Sequence, residues 1–362
     1  MIKLILVGGF LGSGKTTLLA EAAQKLATEN RSVGLITNDQ APELVDTRLL
    51  SHVGKGVLEV AGSCFCCNFD GFANAVQSLI DQGAETIIAE PVGSCTDLSA
   101  TILNPVKKFH PDWNLAPLTV LVDPNRFFEI IGVTPSQVDP DALYIMKLQM
   151  DEADRILINK SDTLSVTERT KILDSLKKEF PDKSTGLISA KTGEGLDAWL
   201  KEIQTAKDVG TKIVPVDYDR YAHGEAVLGW LNATASVHAK TSQINGYTLL
   251  KTLLEYFQKE IQKSRSEVGH VKAILNIGGK ENVANLTSLH GKVDVRDVET
   301  KSDKPVLIFN ARVQMPPELL EKLVRNLLAG SIAQQLEVKI ETLRCLMPGR
   351  PNPTHRFDKI EN

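Results

Sequence analysis

Histidine is scarce and scattered, no apolar run is long enough to cross a bilayer, and neither sign of charge dominates. Each shortage removes a class of function. The 362 residues set 41 Lys and Arg against 45 Asp and Glu, a formal net charge of −4. No basic surplus exists to gather a polyphosphate backbone by counterion release, so nucleic acid is not an expected partner. No window approaches the ~18 uninterrupted apolar residues of a spanning helix. The apolar start, Met1 to Val7, stops at Gly8-Gly9, too short for a signal segment, and reads as a buried first strand. A soluble, cytoplasmic protein with no membrane partner is expected. The 7 histidines include no His-x-His pair and no His-rich tract, so each defaults to a structural or surface role. Internal repeats and low-complexity tracts are also missing.

Cysteine is sparse but unevenly placed. Of 5, Cys64, Cys66, Cys67 and Cys95 crowd one stretch while Cys345 stands alone. An odd number, clustered, in a chain without an export signal favours thiolate chemistry over a disulfide framework.

The length exceeds what one hydrophobic core usually serves, so two domains are expected. Short apolar, β-branched runs recur at Leu4–Val7, Val33–Thr37, Val57–Val60, Thr86–Ala89, Leu118–Val122, Ile156–Ile158 and Gly186–Ile188. Helical patterns lie between them at Thr16–Glu29, Asn74–Gln82, Ser165–Glu179 and Leu196–Thr205. Continuous apolar strands separated by helices predict a mostly parallel sheet covered on both faces, the α/β architecture of P-loop nucleotide-binding domains, over residues 1–205. A Lys, Gly, Pro and Asp-rich linker follows at 206–222. Residues 223–350 change rhythm: a strand-like Glu225–Val237, a helix over Tyr247–Lys263, strands His270–Ile277 and Val306–Val313, a helix opened by Pro316-Pro317, and a strand Leu336–Leu346. That order, β-α-β-β-α-β, predicts a smaller ferredoxin-like α+β domain, with Val283–Val298 able to supply another strand. Residues 351–362 read as an extended tail.

Gly9-Phe10-Leu11-Gly12-Ser13-Gly14-Lys15-Thr16 matches G-x-x-x-x-G-K-[ST] between a predicted strand and a predicted helix. Glycines at 9, 12 and 14 let main-chain N–H groups, with Ser13 and Thr17 alongside, converge on phosphate oxygens at a helix N-terminus. Lys15 adds a point charge for the β- and γ-phosphates, and the Thr16 hydroxyl is a ligand for Mg²⁺. Asp39 and Glu90 follow the second and fourth strands. Carboxyl ends of parallel strands face the ligand crevice, so both are candidates to meet magnesium or its waters and, with Lys15 and Thr16, to act in hydrolysis. Taken singly, either is equally an ordinary solvated carboxylate.

Asn159-Lys160-Ser161-Asp162 comes directly after a strand. Its Asp162 carboxylate can accept from the N1–H and exocyclic amine of guanine, a donor pair adenine lacks, so ATP would leave a buried acceptor unpaired. Asn159 supports the loop or the base edge, and the Lys160 stem lies along the ring. Ser189-Ala190-Lys191 resembles a second guanine loop whose main-chain N–H reaches O6. GTP is therefore the expected nucleotide.

Cys64-Phe65-Cys66-Cys67 follows the third strand and so emerges at the same sheet edge. Thiols this close cannot all point one way on a helix or strand, but a loop opened by Gly62-Ser63 can fold them around one soft cation. Glu59, Cys95, a histidine or water could complete the set. The plain alternative is buried small hydrophobes or redox thiols.

With the P-loop, the Cys-x-Cys-Cys and the Asn-Lys-x-Asp in that order, residues 1–205 resemble the CobW family of GTPases, relatives of UreG and HypB. The run Gln149…Ala153-Asp154-Arg155-Ile156-Leu157-Ile158-Asn159-Lys160 is similar to the family's approach to its guanine motif, and Glu59 sits where members carry a glutamate. The resemblance implies slow GTP hydrolysis coupled to delivery of a transition metal, zinc or cobalt foremost, through the Cys-x-Cys-Cys to a client metalloprotein. A second copy of the chain is a further partner it allows. Four departures stand out: Ser63 replaces the family's glycine before the first cysteine, Pro91-Val92 replaces hydroxyl residues after Glu90, Thr-Asn-Asp39 is closer to UreG and HypB, and the histidine-rich metal store is absent. No arginine stands out as a finger, Arg48 and Arg126 remaining open. The rival expectation is a regulatory or corrinoid-protein maturation GTPase whose cysteines are structural.

Overall fold

A computed structural model describes residues 2–39, 56–206, 209–240, 244–277, 280–296, 305–330 and 336–361, with the backbone alone for Asp39, Ala61 and Ala239. Arg48 lies outside the described residues. The chain divides into two compact units, one of residues 1–136, 143–221 and 350–362 and the other of 137–142 and 222–349.

The first unit is built on a parallel sheet of β1 (Lys3–Gly8), β2 (Val33–Asp39), β3 (Gly56–Ala61), β4 (Thr86–Glu90), β5 (Asn114–Leu115), β6 (Thr119–Val122), β7 (Arg155–Ile158) and β8 (Ser184–Leu187). Its order is β3-β2-β4-β1-β6-β7-β8, with the short β5 also paired to β1. Every residue of β4, β6 and β7 is buried. Helices on both faces remove both sides of the sheet from water, which is why these strands read as unbroken apolar runs rather than alternating ones.

Helices α1 (Lys15–Thr28) and α2 (Phe69–Asp81) precede three that the periodicity did not signal: α3 (Asn104–Phe109), α4 (Pro124–Ile130) and α5 (Pro140–Glu152). The stretch leading into α3, Ser99–Leu103, forms a π turn whose residues are all buried, so no polar face exists to mark a 3.6-residue period. Helix α2 starts earlier than Asn74 because the Asn68 side chain caps it, accepting from the Gly71 N–H at 3.0 Å. Beyond lie α6 (Val166–Glu179), opened by a Ser165/Glu168 capping box, and α7 (Leu196–Thr205).

A further helix, α8 (Tyr218–Ala226), corrects the strand expected from Glu225. Asp217 accepts from the N–H groups of Asp219 and Arg220 at 3.0 and 3.2 Å, an N-cap hidden in what reads as linker. Strand β9 begins only at Gly229 and runs to Ala239. Then come α9 (Gly246–Ser264), β10 (Val268–Ile277), β11 (Lys280–Leu286), β12 (Asp294–Arg296), β13 (Val306–Val313), α10 (Pro317–Gly330) and β14 (Leu336–Leu346). The antiparallel order is β12-β11-β10-β13-β9-β14. Its β14-β9-β13-β10 portion has the ferredoxin-like arrangement, and β11 and β12 extend one edge, so the segment that could supply one more strand contributes to two. Leu250, Leu253, Leu254, Phe257 and Ile261 of α9 are each 0% exposed, which accounts for their helical spacing.

Residues 350–361 have neither helix nor strand and belong to the first unit. Among the described residues, no helix is long and apolar enough to cross a membrane.

Candidate functional site

The sheet order places the exits of β1, β2, β3, β4, β6, β7 and β8 along one edge of the first unit, since all run parallel. Every candidate residue lies on or just beyond one of these exits or in α1.

Between β1 and α1 the P-loop turns through Gly9, Gly12 and Gly14 at φ 131°, 78° and 93°. Lys15, only 5% exposed, donates from Nζ to the Gly9 carbonyl at 2.9 Å and lies 3.7 Å from Glu90 Oε1. The Thr16 hydroxyl donates to Glu90 Oε1 at 3.3 Å. A hydroxyl and a carboxylate side by side at the mouth of the loop are the hard oxygen donors Mg²⁺ prefers, so the residues present fit that ion. Asp39 closes β2, but its side chain lies outside the described atoms.

Asn159, 2% exposed, is the brace of this end: its Nδ2 donates to the Ser13 carbonyl at 2.8 Å while its Oδ1 accepts from the Ala190 N–H at 2.9 Å. One amide therefore ties the P-loop to both guanine-type loops. Gly14 leaves room for it, because a Cβ there would stand 2.3 Å from Asn159 Nδ2. Lys160, at φ 57°, donates from Nζ to Asp123 Oδ2 at 2.5 Å. Asp162 is exposed and accepts from Ser189 Oγ at 2.6 Å. Lys191 is exposed beside them. Arg126 pairs with Glu129 at 2.9 Å.

The thiol loop leaves β3 through Gly62, and the N–H groups of Cys67 and Asn68 both donate to the Cys64 carbonyl, at 3.1 and 3.0 Å. This tight turn brings one sulfur of each of Cys64, Cys66 and Cys67 within 4.8 Å of the others. Cys64 and Cys66 are buried and Cys67 is half-buried, with the Cys64 and Cys66 sulfurs 2.9 Å apart. Cys95 is buried as well, and its sulfur is outside the converging group. Glu59, half-buried in β3, is outside the converging group. Hydrogen bonding with Cys66, foremost, and with Cys67 and Cys95 draws the Cys64 thiol far below its ordinary value, while bonding with Cys64, foremost, and with Cys67 and Cys95 pushes Cys66 well above it. Cys67 is pushed up to about 11, first by its bond with Cys64. Three converging sulfurs are the donor set a soft cation takes. Cys345 stands apart on β14, where burial pushes its thiol up to about 11.

Three side chains that build this edge were given no role from the sequence. Asn38, 8% exposed and next to Asp39, donates to the carbonyls of Val60 and Ser63, both at 2.7 Å, and accepts from the Phe65 N–H at 2.8 Å. Gln149 of α5 donates to the carbonyls of Gly93 and Cys95 at 3.0 and 2.8 Å. Fully buried Glu152 accepts from Thr96 Oγ1 at 2.9 Å and from the Ser99 N–H at 3.1 Å. The last two hold the loop leaving β4, which touches the P-loop where a Cβ on Gly93 would meet the Leu11 nitrogen at 3.0 Å. The Asn next to Asp39 and the Gln of the Gln149 run were visible, but nothing local marks what they would bind.

The family profile described as CobW/HypB/UreG, nucleotide-binding domain, matches residues 3–186. Among solved structures the chain is similar to HypB from Helicobacter pylori in complex with nickel, at 18% identity over 57% of this chain and 92% of that one, TM-score 0.40. It is also similar to the Zn(II)-bound YjiA GTPase from E. coli, at 15% identity over 90% of this chain and 98% of that one, TM-score 0.35. No curated protein sequence matches it.

Proposed function

The chain belongs to the CobW/HypB/UreG family through its nucleotide-binding domain, and on that footing we propose that it binds and slowly hydrolyses GTP and couples the nucleotide state to holding and handing on a transition metal. Gly9, Gly12, Ser13, Gly14, Lys15, Thr16 and Thr17 cradle the phosphates. Asp162, with Asn159, Lys160, Ser189, Ala190 and Lys191, selects guanine. Mg²⁺, held by Thr16 with Glu90 and Asp39, would neutralise charge on the β- and γ-phosphates. Zinc or cobalt is the cargo, taken by Cys64, Cys66 and Cys67. Cys95, a soft donor, or Glu59 would complete the set as a fourth ligand.

The observation that carries this reading is the position of Asn38. Its three hydrogen bonds fix the thiol loop, and its chain neighbour is Asp39, a residue expected at the phosphates. A γ-phosphate that draws in the β2 exit therefore moves the atoms that shape the thiol turn, and its loss relaxes them. Glu90 offers a second route, since its loop passes Leu11 and reaches Cys95. Such coupling requires the cargo to bind the GTP state and the GDP state with different affinity, since equal affinity shifts nothing. Metal uptake by thiols also releases protons.

Calorimetric titration of zinc and cobalt into the nucleotide-free, GDP-bound and GTP-analogue-bound protein tests the proposal, with the Cys64→Ser, Cys66→Ser, Cys67→Ser triple variant as control. The expected result is one thiolate-dependent site whose affinity changes with nucleotide. Burial of Cys64 and Cys66, at 7% and 1% exposed, favours a second reading in which the thiols are structural and the protein remodels a partner such as a corrinoid enzyme. Under that reading affinity is the same in all three states, and the triple variant still activates the partner.

A further inference from the structure

Residues 350–361, without helix or strand, are nonetheless tied to the first unit along their length. The Thr354 N–H donates to the Cys66 carbonyl at 2.8 Å, the Phe357 N–H to the Ala100 carbonyl at 3.0 Å, and the Glu361 N–H to Asn104 Oδ1 at 2.7 Å. Arg356 anchors the middle, its Nε 2.7 Å from Oδ2 of Asp97, which also accepts from the Tyr218 hydroxyl at 2.8 Å. Asp97 is 1% exposed and stands two places after Cys95, on the loop that begins with Glu90.

The contact that gives this arrangement a chemical meaning is at Asn352, whose main-chain N–H donates to the Cys67 sulfur at 3.3 Å. Pro351 and Pro353 flank it. Proline has no N–H, so this tripeptide owns a single main-chain donor, and it is directed at a thiol. Cys67 is also the least buried of the three converging cysteines. A donor to sulfur orients it and ties the segment to it, as partners outside the coordination sphere do for metal ligands generally.

We propose that the C-terminal segment 350–361 is part of the metal site: Asn352 positions the Cys67 sulfur through its N–H, and the segment straps over that thiol so that metal enters and leaves only when the strap lifts. The proposal rests on the metal-carrying reading given above. One input reaches the strap: its Asp97 anchor lies on the loop from Glu90.

The test compares the wild type, a chain ending at Gly349, Asn352→Pro and Asn352→Ala. In metal-free protein the rate of thiol modification by an aromatic disulfide reagent is followed; in zinc-loaded protein, the rate of release to a chromogenic chelator. Loss of the N–H by proline raises both rates about tenfold, the worth of one hydrogen bond, and deletion, which also removes the Thr354, Arg356, Phe357 and Glu361 contacts, raises them further. Asn352→Ala keeps the N–H and leaves both rates at the wild-type value, an outcome that a merely structural side chain at 352 would not give. Should the shortened chain fail to fold, the proline and alanine variants decide the matter. Equal rates in all variants, with sulfur-to-cobalt charge-transfer bands present in the cobalt-loaded wild type, overturn the strap alone. Absence of those bands in the wild type overturns the metal reading and the gating with it.

Discussion

Two buried asparagines, one on each side of β1 in the sheet, solve the same problem and differ in what they join. Asn159, leaving β7, links the P-loop to the Ser189-Ala190 loop, so all its partners are expected to serve the nucleotide. Asn38, leaving β2, links the β3 exit to the thiol turn. Loops have no ladder of their own, and a buried amide with both ends bonded gives them a fixed shape at little volume. The difference teaches where a signal can pass: the nucleotide end is braced to itself, whereas the thiol end is braced to the residue beside Asp39.

The largest effect is expected at Asn38→Ala. It removes three hydrogen bonds and leaves the Phe65 N–H without its partner, for a loss of about 3 kcal/mol in unfolding free energy. Cobalt affinity falls about a hundredfold as the sulfurs lose their turn, while GTP affinity changes less than about threefold. Equal losses of GTP and cobalt binding would break the comparison. Next comes Asn159→Ala, with two bonds removed and a cost of about 2 kcal/mol, read as a roughly thirtyfold weaker GTP complex. The charge-transfer bands of bound cobalt should not move, and a shift in them would show that the two braces are one.

Glu152→Gln sharpens the comparison from beneath the β4 exit. Burial pushes the Glu152 carboxyl up to about 8; nearby Asp97 adds to this, and bonds from Ser99 and Thr96 oppose it. The unfolded chain has the ordinary carboxylate value of about 4.3. The folded state therefore binds more protons between these limits, so stability is full below about 4.3, declines as pH rises toward 8, and is level above. Glutamine carries no such proton. Urea midpoints at pH 5 and pH 8.5 should differ more for the wild type than for the variant; an equal drop in both would place the pH-sensitive group elsewhere.

What the sequence disclosed follows the same division. The P-loop and Asn-Lys-x-Asp were readable because their chemistry depends on spacing within a few residues and on a strand-turn-helix context that leaves its own apolar signature. The thiol cluster was half readable. Cys64, Cys66 and Cys67 announce themselves by proximity, but the loop that carries Cys95 is held by Gln149 of α5, whose partners lie more than fifty residues away in the chain. Asn38 and Asn352 are polar residues in unremarkable settings, whose partners lie on other strands or at the far end of the chain. The second unit was readable in outline, since α9 and β13 carry clean periodicity, while α8 was lost because a single capping Asp217 looks the same in a linker.

The smallest effect is expected at Arg350→Ala, and it discriminates between two ways of holding the strap. Arg350 pairs with Asp219 at 2.8 Å, but both are open to water, at 55% and 89% of side-chain exposure. Such a pair gains little in high dielectric and costs side-chain entropy, so its removal changes stability or thiol reactivity by no more than about 0.5 kcal/mol. Arg356 reaches Asp97 at a similar distance, 2.7 Å, but that carboxylate is 1% exposed, and burial already pulls its protonation upward against the guanidinium and Tyr218. Arg356→Ala strands a buried acid and should loosen the segment severalfold more, measured by the same thiol-modification rate. If Arg350→Ala frees Cys67 as readily as Arg356→Ala does, the hold on the strap is at its exposed entry and not on the loop from Glu90, and nucleotide would have no path to it.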